Sequence, residues 1–266
     1  MVEITILADN KVIELRPQGL KAEWGFSALI EKDSDLILFD TGQTGIAFEN
    51  LLLLKKDIPE KIVLSHGHYD HTGGLIEFIT SSKNEVKIYV HPDAFLPRIY
   101  KGEYIGIPFP KERLEYLATV IEHKDPVKIS NNVWALGEIP RKYKTALLAD
   151  SYVIRDGKKE SDKILDDQSL AIKTEKGVIL ILGCCHSGLE NTIEYAQEVA
   201  GDEVKYIIGG THLIAYTDAE IRELAKKLKI EMIAPCHCTG LKAEFLLKEL
   251  LGDKYKLIGS GSIIKI

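Results

Sequence analysis

The chain has 266 residues, with 34 Lys plus Arg against 40 Asp plus Glu, a formal net charge of −6, and 45% hydrophobic and 28% charged residues. This composition excludes a mainly disordered chain and supplies enough apolar material for one large α/β domain or two small ones. Apolar runs such as 51–54 and 178–182 fall far short of the roughly 20 residues that cross a bilayer, and net acidity without a block of Lys and Arg argues against long nucleic acid and against a membrane as partners.

Residues 2–7, 26–31 and 36–39 read as strands, being apolar or β-branched, and the turn signal Lys32-Asp33-Ser34-Asp35 separates the last two. The N-terminus alternates apolar with polar residues and carries Glu3, which suits a first strand and not a signal peptide, so a cytoplasmic protein is expected. Residues 48–56 read as a helix, 61–65 and 86–90 as strands. The stretch 92–110 is the least regular, with Phe95, Tyr100, Tyr104 and Phe109 among prolines and glycines, and is expected to form a lid or substrate loop within 92–118. Short strands are expected at 120–122, 127–129 and 133–136, followed by a polar connector at 156–167. The last hundred residues repeat one rhythm: strand 178–182 with helix 189–200, strand 204–208 with helix 218–229, strand 230–234 with helix 241–251. Each of these strands runs into a histidine-bearing loop, GCCHSG at 183–188, GGTH at 209–212 and PCHCTG at 235–240, and loops at strand ends are where a rigid scaffold presents chemistry. No stretch reads as a linker, so one domain is expected over 1–266.

Cys184, Cys185, Cys236 and Cys238 are the only cysteines and form no CxxC, which favours reduced thiols over a disulfide framework. Met and Gln are scarce beside Glu and Lys, a mix common in heat-adapted proteins.

The segment Ser65-His66-Gly67-His68-Tyr69-Asp70-His71-Thr72-Gly73-Gly74 packs three imidazoles and one carboxylate into six residues. Imidazole nitrogen and carboxylate oxygen suit zinc and neighbouring divalent ions, and the spacing sends His66 and His68 to one side and Asp70 and His71 to another, so two ions could be held side by side. A histidine-rich surface loop or a structural zinc site is the bland alternative, although structural zinc prefers a closed, thiolate-rich shell.

HxHxDH directly after an apolar strand, preceded by a strand that ends in Asp40 (LFDTG) and followed late in the chain by a glycine-flanked histidine, resembles the metallo-β-lactamase superfamily over nearly the whole chain. The resemblance implies a four-layer αββα sandwich, an α/β fold of two mixed sheets flanked by helices. It also implies that His66 and His68 hold one ion with a third histidine, while Asp70, His71 and His237 hold the other. The sequence departs from the family pattern at two ligands. Cys184 stands where most members place a bridging Asp, and no histidine lies in 133–141, where the third imidazole is expected. His186 is therefore assigned as that third imidazole, with helix capping as its alternative, and Cys184 is placed near or on the metals. Without the bridging carboxylate one ion is expected to bind tightly and the other more loosely. His212 should face the same crevice, as a substrate contact and proton donor or as a core histidine. Asp40 is read as accepting an N–H from a ligand histidine and fixing its tautomer, or as an ordinary turn residue. His91 and His123 are read as structural, and Cys185, Cys236 and Cys238 as packing residues, strand alternation turning the last two away from His237.

The resemblance implies a metal-dependent hydrolase with divalent cofactors, one or two zinc ions per chain, or manganese or iron. Paired ions activate water and polarise the oxygen under attack, with Asp70 orienting the nucleophile and His212 protonating the leaving group. GFSALIE near the start, GCCHSG, GGTHL and PCHCTG are similar to the branch of 7,8-dihydropterin-6-methyl-4-(β-D-ribofuranosyl)aminobenzene 5′-phosphate synthases, linked to methanopterin biosynthesis. That similarity implies a small phosphorylated substrate with a flat ring, condensed with loss of a phosphorus-containing leaving group. The aromatics of 92–110 could stack on the ring while Arg98, Lys101 and Arg113 hold phosphate and Tyr104 lines the pocket, or they could simply close the loop over the core. A small-molecule phosphodiesterase or phosphoesterase of the same fold and a non-catalytic metal-binding regulator are the alternatives.

Overall fold

A computed structural model describes all residues, 1–266. The layering follows from where alternate side chains go. Every residue of Gly177–Leu182 is buried, with Ile179 and Ile181 entering a core between two sheets and Val178, Leu180 and Leu182 entering a second core under helices. A continuous apolar run is what a strand covered on both faces requires. Asp35–Phe39 divides in the same way, Ile37 and Phe39 facing the other sheet and Leu38 facing helices. Each such fully buried aliphatic side chain contributes about 1.5–3 kcal/mol.

The first sheet has seven strands in the order Ile263–Lys265, Val2–Ala8, Ser27–Lys32, Asp35–Phe39, Lys61–Val63, Lys87–Val90, Thr119–Glu122. Its first four strands pair antiparallel and its last four parallel. The second has six, Met232–Cys236, Val204–Gly210, Gly177–Leu182, Ser169–Thr174, Val133–Ala135 and Val127–Ser130, of which the first three are parallel. Helices Ile46–Leu53, Leu75–Ser81 and Lys111–Leu117 bury Leu51, Phe78 and Leu114 on the outer face of the first sheet. Helices Leu189–Ala200, Asp218–Lys227 and Leu241–Leu251 bury Ala196, Leu224 and Leu247 on the second. The result is the expected four-layer α/β sandwich of two mixed sheets. Local chemistry sets the helix ends: Thr217 and Glu220 form a capping box ahead of Asp218–Lys227, and Gly201, at φ 62, ends Leu189–Ala200.

Two expectations are corrected. The stretch 92–110 is not a free loop: Arg98–Tyr100 and Glu103–Tyr104 join Ser151–Arg155 and Lys158–Ser161 in a third, four-stranded antiparallel sheet. The connector at 156–167 supplies one strand of that sheet and then three buried aspartates, Asp162, Asp166 and Asp167.

The parallel strands of both main sheets end at one rim. Asp40 and the segment 65–71 follow Asp35–Phe39 and Lys61–Val63, while Cys184, His186, His212 and His237 follow Gly177–Leu182, Val204–Gly210 and Met232–Cys236. The carboxyl ends of parallel strands are where open α/β sheets form their crevice.

Candidate metal centre

Two glycines permit the close approach that assembles the site. A Cβ on Gly183 would lie 2.2 Å from Ser65 Oγ and 2.9 Å from Asp40 Oδ2, so the loops of the two sheets could not meet there with a larger residue. A Cβ on Gly67 would lie 2.0 Å from the Ala94 carbonyl oxygen. Four non-glycine residues around the crevice, Asp40, Cys185, His212 and His237, hold left-handed backbone angles with φ of 50–60. Each costs about 1 kcal/mol, and such strain concentrates where side-chain aim matters.

The six residues assigned as ligands converge. His66 Nε2 lies 2.8 Å from His68 Nδ1, the ring centroids of His66 and His186 are 5.0 Å apart, and those of His71 and His237 are 4.9 Å apart. Asp70 Oδ2 is 3.5 Å from His237 Nε2 and 3.9 Å from His71 Nε2. Donor atoms of His66, Cys184 and His186 lie within 4.8 Å of one another, and so do those of His71, Cys184 and His237. Cys184 thus reaches both groups, with Sγ 3.1 Å from His71 Nε2.

The ring orientations are fixed from behind. His186 Nδ1–H donates to the Ala146 carbonyl at 2.8 Å, His71 Nδ1–H to Asp40 Oδ2 at 2.7 Å, and His237 Nδ1–H to Asn10 Oδ1 at 3.1 Å. Ser65 Oγ donates to Asp40 Oδ2 at 2.6 Å and so accepts from His66 Nδ1–H at 2.8 Å. On a neutral ring each bond leaves Nε2 with its lone pair facing the crevice, and His71 reaches that state by giving up its Nε2 proton to an incoming cation. Nε2 of His68, His186 and His237 is buried with no protein partner. Burial holds His66, His68, His186 and His237 neutral, pushing each well below the ordinary imidazole range. Burial also pulls on His71, but Asp40 and Asp70 outweigh it and raise this ring to about 9. Neutral imidazoles with unused lone pairs beside a buried carboxylate are a donor set that fits a divalent cation.

The family model of the metallo-beta-lactamase superfamily matches residues 25–141. An uncharacterized protein of Methanocaldococcus jannaschii is 38% identical over 96% of this chain and 98% of its own length. The chain belongs to the metallo-β-lactamase superfamily. A second M. jannaschii protein, named 7,8-dihydropterin-6-methyl-4-(beta-D-ribofuranosyl)-aminobenzene-5'-phosphate synthase, is 32% identical over 92% of this chain and 90% of its own length. The crystal structure of Tm1679, described as a metal-dependent hydrolase of the beta-lactamase superfamily, superposes with a TM-score of 0.89 at 28% identity, covering 100% of this chain and 99% of that one.

Against the superfamily pattern, Cys184 occupies the crevice between the two imidazole groups and His186 stands beside His66 and His68, with ring centroids 5.2 Å from His68. His212 adjoins His186 at 4.3 Å between centroids and is 8% exposed. Burial lowers its affinity for a proton, yet Cys238 and nearby acids raise it overall. Cys238 corrects the alternation argument. At His237 the backbone turns left-handed, φ 50, so the strand's alternation ends there, and Cys238 enters a cluster with Cys184 and His212, its Sγ donating to the Cys184 carbonyl at 3.5 Å. Cys236 packs in the inter-sheet core and Cys185 under the outer helices.

Arg98 is also corrected. It is 1% exposed and committed to Asp166 Oδ1 at 2.5 Å, with Asp162 Oδ2 3.7 Å from its Nε, so it does not present its guanidinium to solvent. Lys101 lies over the Tyr100 ring at 5.1 Å, Arg113 over Phe109 at 5.7 Å, and Tyr104 Oη donates to the Ile107 carbonyl. Trp24 escaped sequence reasoning. It is half exposed and packs on His237 at 5.3 Å between ring centroids. Asn10, Asp166 and Asp167, which orient the site from behind, escaped it too. A doubled acid directly before a strand was the one available signal, for Asp166 and Asp167.

Proposed function

We propose that the chain is a metal-dependent enzyme with a dinuclear centre. His66, His68 and His186 would hold one divalent ion, Asp70, His71 and His237 the other, and Cys184 would reach both as a thiolate. The observation that carries the reading is the set of buried Nε2 atoms without protein partners on His68, His186 and His237, the last two on rings tied from behind by Ala146 and Asn10. Zinc fits this mixture of nitrogen, oxygen and sulfur donors well, and iron also suits it. When bound, paired ions supply Lewis acidity and an activated nucleophile at neutral pH. Asp70 orients the nucleophile from within the crevice, and His212, packed beside His186, gives a proton to the leaving group.

The substrate proposed is a small phosphorylated molecule with a flat ring, by analogy with the 32%-identical synthase. The half-exposed Trp24 ring beside His237 offers a stacking surface for it. The reaction proposed is a displacement that releases a phosphorus-containing leaving group, with an arylamine or water as nucleophile. Incubating purified protein with a dihydropterin pyrophosphate and ribofuranosylaminobenzene phosphate, in parallel with small phosphodiesters, tests this. Metal-dependent condensation supports the synthase reading and turnover of phosphodiesters alone supports the hydrolase. Turnover of neither by metal-loaded protein contradicts the proposed substrate class.

A further inference from the structure

Two consecutive carboxylates, Asp166 and Asp167, are completely buried just before strand Ser169–Thr174. Asp166 accepts the Gly67 N–H through Oδ2 at 2.8 Å and Arg98 Nη2–H through Oδ1 at 2.5 Å. Asp167 accepts the His186 N–H through Oδ1 at 3.0 Å and the Ser187 N–H through Oδ2 at 2.8 Å. Gly67 stands between His66 and His68, pressed on its other side by the Ala94 carbonyl. The next residue, Gln168, ties the same segment to the first sheet, its N–H donating to Ser65 O at 2.9 Å and its Nε2 to Leu64 O at 2.9 Å. One short stretch of backbone therefore grips two loops that arrive from different sheets.

The other half of the crevice is supported elsewhere. His237 donates its N–H to Asp9 Oδ1 at 2.8 Å and is flanked by Asn10, and His71 leans on Asp40. Asp40 reaches both halves, because Ser65 links it to His66. Asp166 and Asp167 make no hydrogen bond to Asp70, His71 or His237.

We infer that Asp166 and Asp167 are positioning residues that set the spacing between the His66–His68 pair and His186, and so tune affinity for the ion held by those three imidazoles but not for its neighbour. The inference rests on the dinuclear reading above. Charge and geometry explain why both are carboxylates. Each oxygen already accepts a hydrogen bond, so an amide in the same place would satisfy one donor and turn an NH₂ group against the other. Loss of such supporting bonds lowers metal affinity by about tenfold to a hundredfold.

The test loads wild-type protein, Asp167→Asn, Asp166→Asn and Asn10→Ala with Co(II) and withdraws the metal with a stepwise chelator titration. Visible absorption and elemental analysis resolve the two equivalents, and thermal denaturation of the metal-free proteins runs alongside. In Asp167→Asn and Asp166→Asn one equivalent should leave at about tenfold to a hundredfold lower chelator concentration, the other staying at its wild-type position. Asn10→Ala should move the opposite equivalent. Parallel weakening of both equivalents in the Asp variants, or no change in either, overturns the inference, and Asp166→Asn carries the test if Asp167→Asn fails to fold. Wild-type protein that never holds two equivalents refutes the dinuclear reading itself, and the inference falls with it.

Discussion

Cys184 is the proposed ligand at which the sequence departs from the superfamily pattern that its motifs resemble. As a proposed thiolate ligand, Cys184 would be softer than the carboxylate expected at that place from the superfamily resemblance, and would favour zinc, cobalt or iron over manganese or magnesium. Its Sγ is buried within reach of both imidazole groups. Co(II)-loaded protein should therefore show a sulfur-to-metal charge-transfer absorption in the near ultraviolet that is lost in Cys184→Ser and retained in Cys238→Ser. Loss in Cys238→Ser alone would move the thiolate ligand to the neighbouring cluster with His212. The HxHxDH segment was legible because its residue types and spacing need no tertiary information. The supports behind it were not: Asn10 lies 227 positions from His237, and Asp166 lies 99 from Gly67.

Among the elements, the segment 65–71 is held tightly at Gly67, where a Cβ would lie 2.0 Å from the Ala94 carbonyl oxygen. Gly67→Ala would push a methyl group against the Ala94 carbonyl, and overpacking of this kind costs about 1–3 kcal/mol. Thermal denaturation should register that loss, and metal content should fall with it because His66 and His68 flank the displaced peptide. An unchanged melting temperature with full metal content would show that the loop relaxes freely. The same scale explains which elements could be read from the sequence. Helices Leu189–Ala200 and Leu241–Leu251 have their expected bounds because Gly188 and Gly240 precede them and their apolar residues recur at helical spacing. The small third sheet was hidden because Arg98–Tyr100 finds its partner in Ser151–Arg155, and because Lys158–Ser161 is exposed throughout and carries no apolar alternation.

For the whole molecule, the first sheet closes where the chain ends meet, and Glu3 binds Lys265 at 2.8 Å and Lys56 at 2.5 Å. The hydrogen bonds from Lys265 and Lys56 depress the Glu3 carboxyl to about 2. A carboxylate whose pKa is lower in the folded state contributes stability above its unfolded pKa of about 4.3 and loses it as pH falls through the folded value. The Glu3→Gln variant should lack a contribution of about 1 kcal/mol at neutral pH, the scale of a partly solvated pair. Its deficit relative to wild type should vanish between about pH 4.3 and pH 2. Denaturant titrations over that range measure the difference, and a pH-independent deficit would assign the effect to packing. The layered architecture itself was legible through the superfamily resemblance of HxHxDH and its flanking strands, and the uninterrupted apolar run of Gly177–Leu182 agrees with a strand covered on both faces. The share of the site contributed by Cys238 was not, because it depends on a backbone reversal at His237.

Metal held across the two sheets should stabilise the whole fold, by about 2.7 kcal/mol at a free concentration one hundredfold above the dissociation constant. The most direct test of the centre is elemental analysis of protein purified without added metal, beside His66→Ala, His186→Ala and His237→Ala. The dinuclear account predicts that His66→Ala and His186→Ala each lose the same equivalent, while His237→Ala loses the other. Full metal content in His186→Ala would contradict it and leave Cys184 to complete the first ion's ligand set.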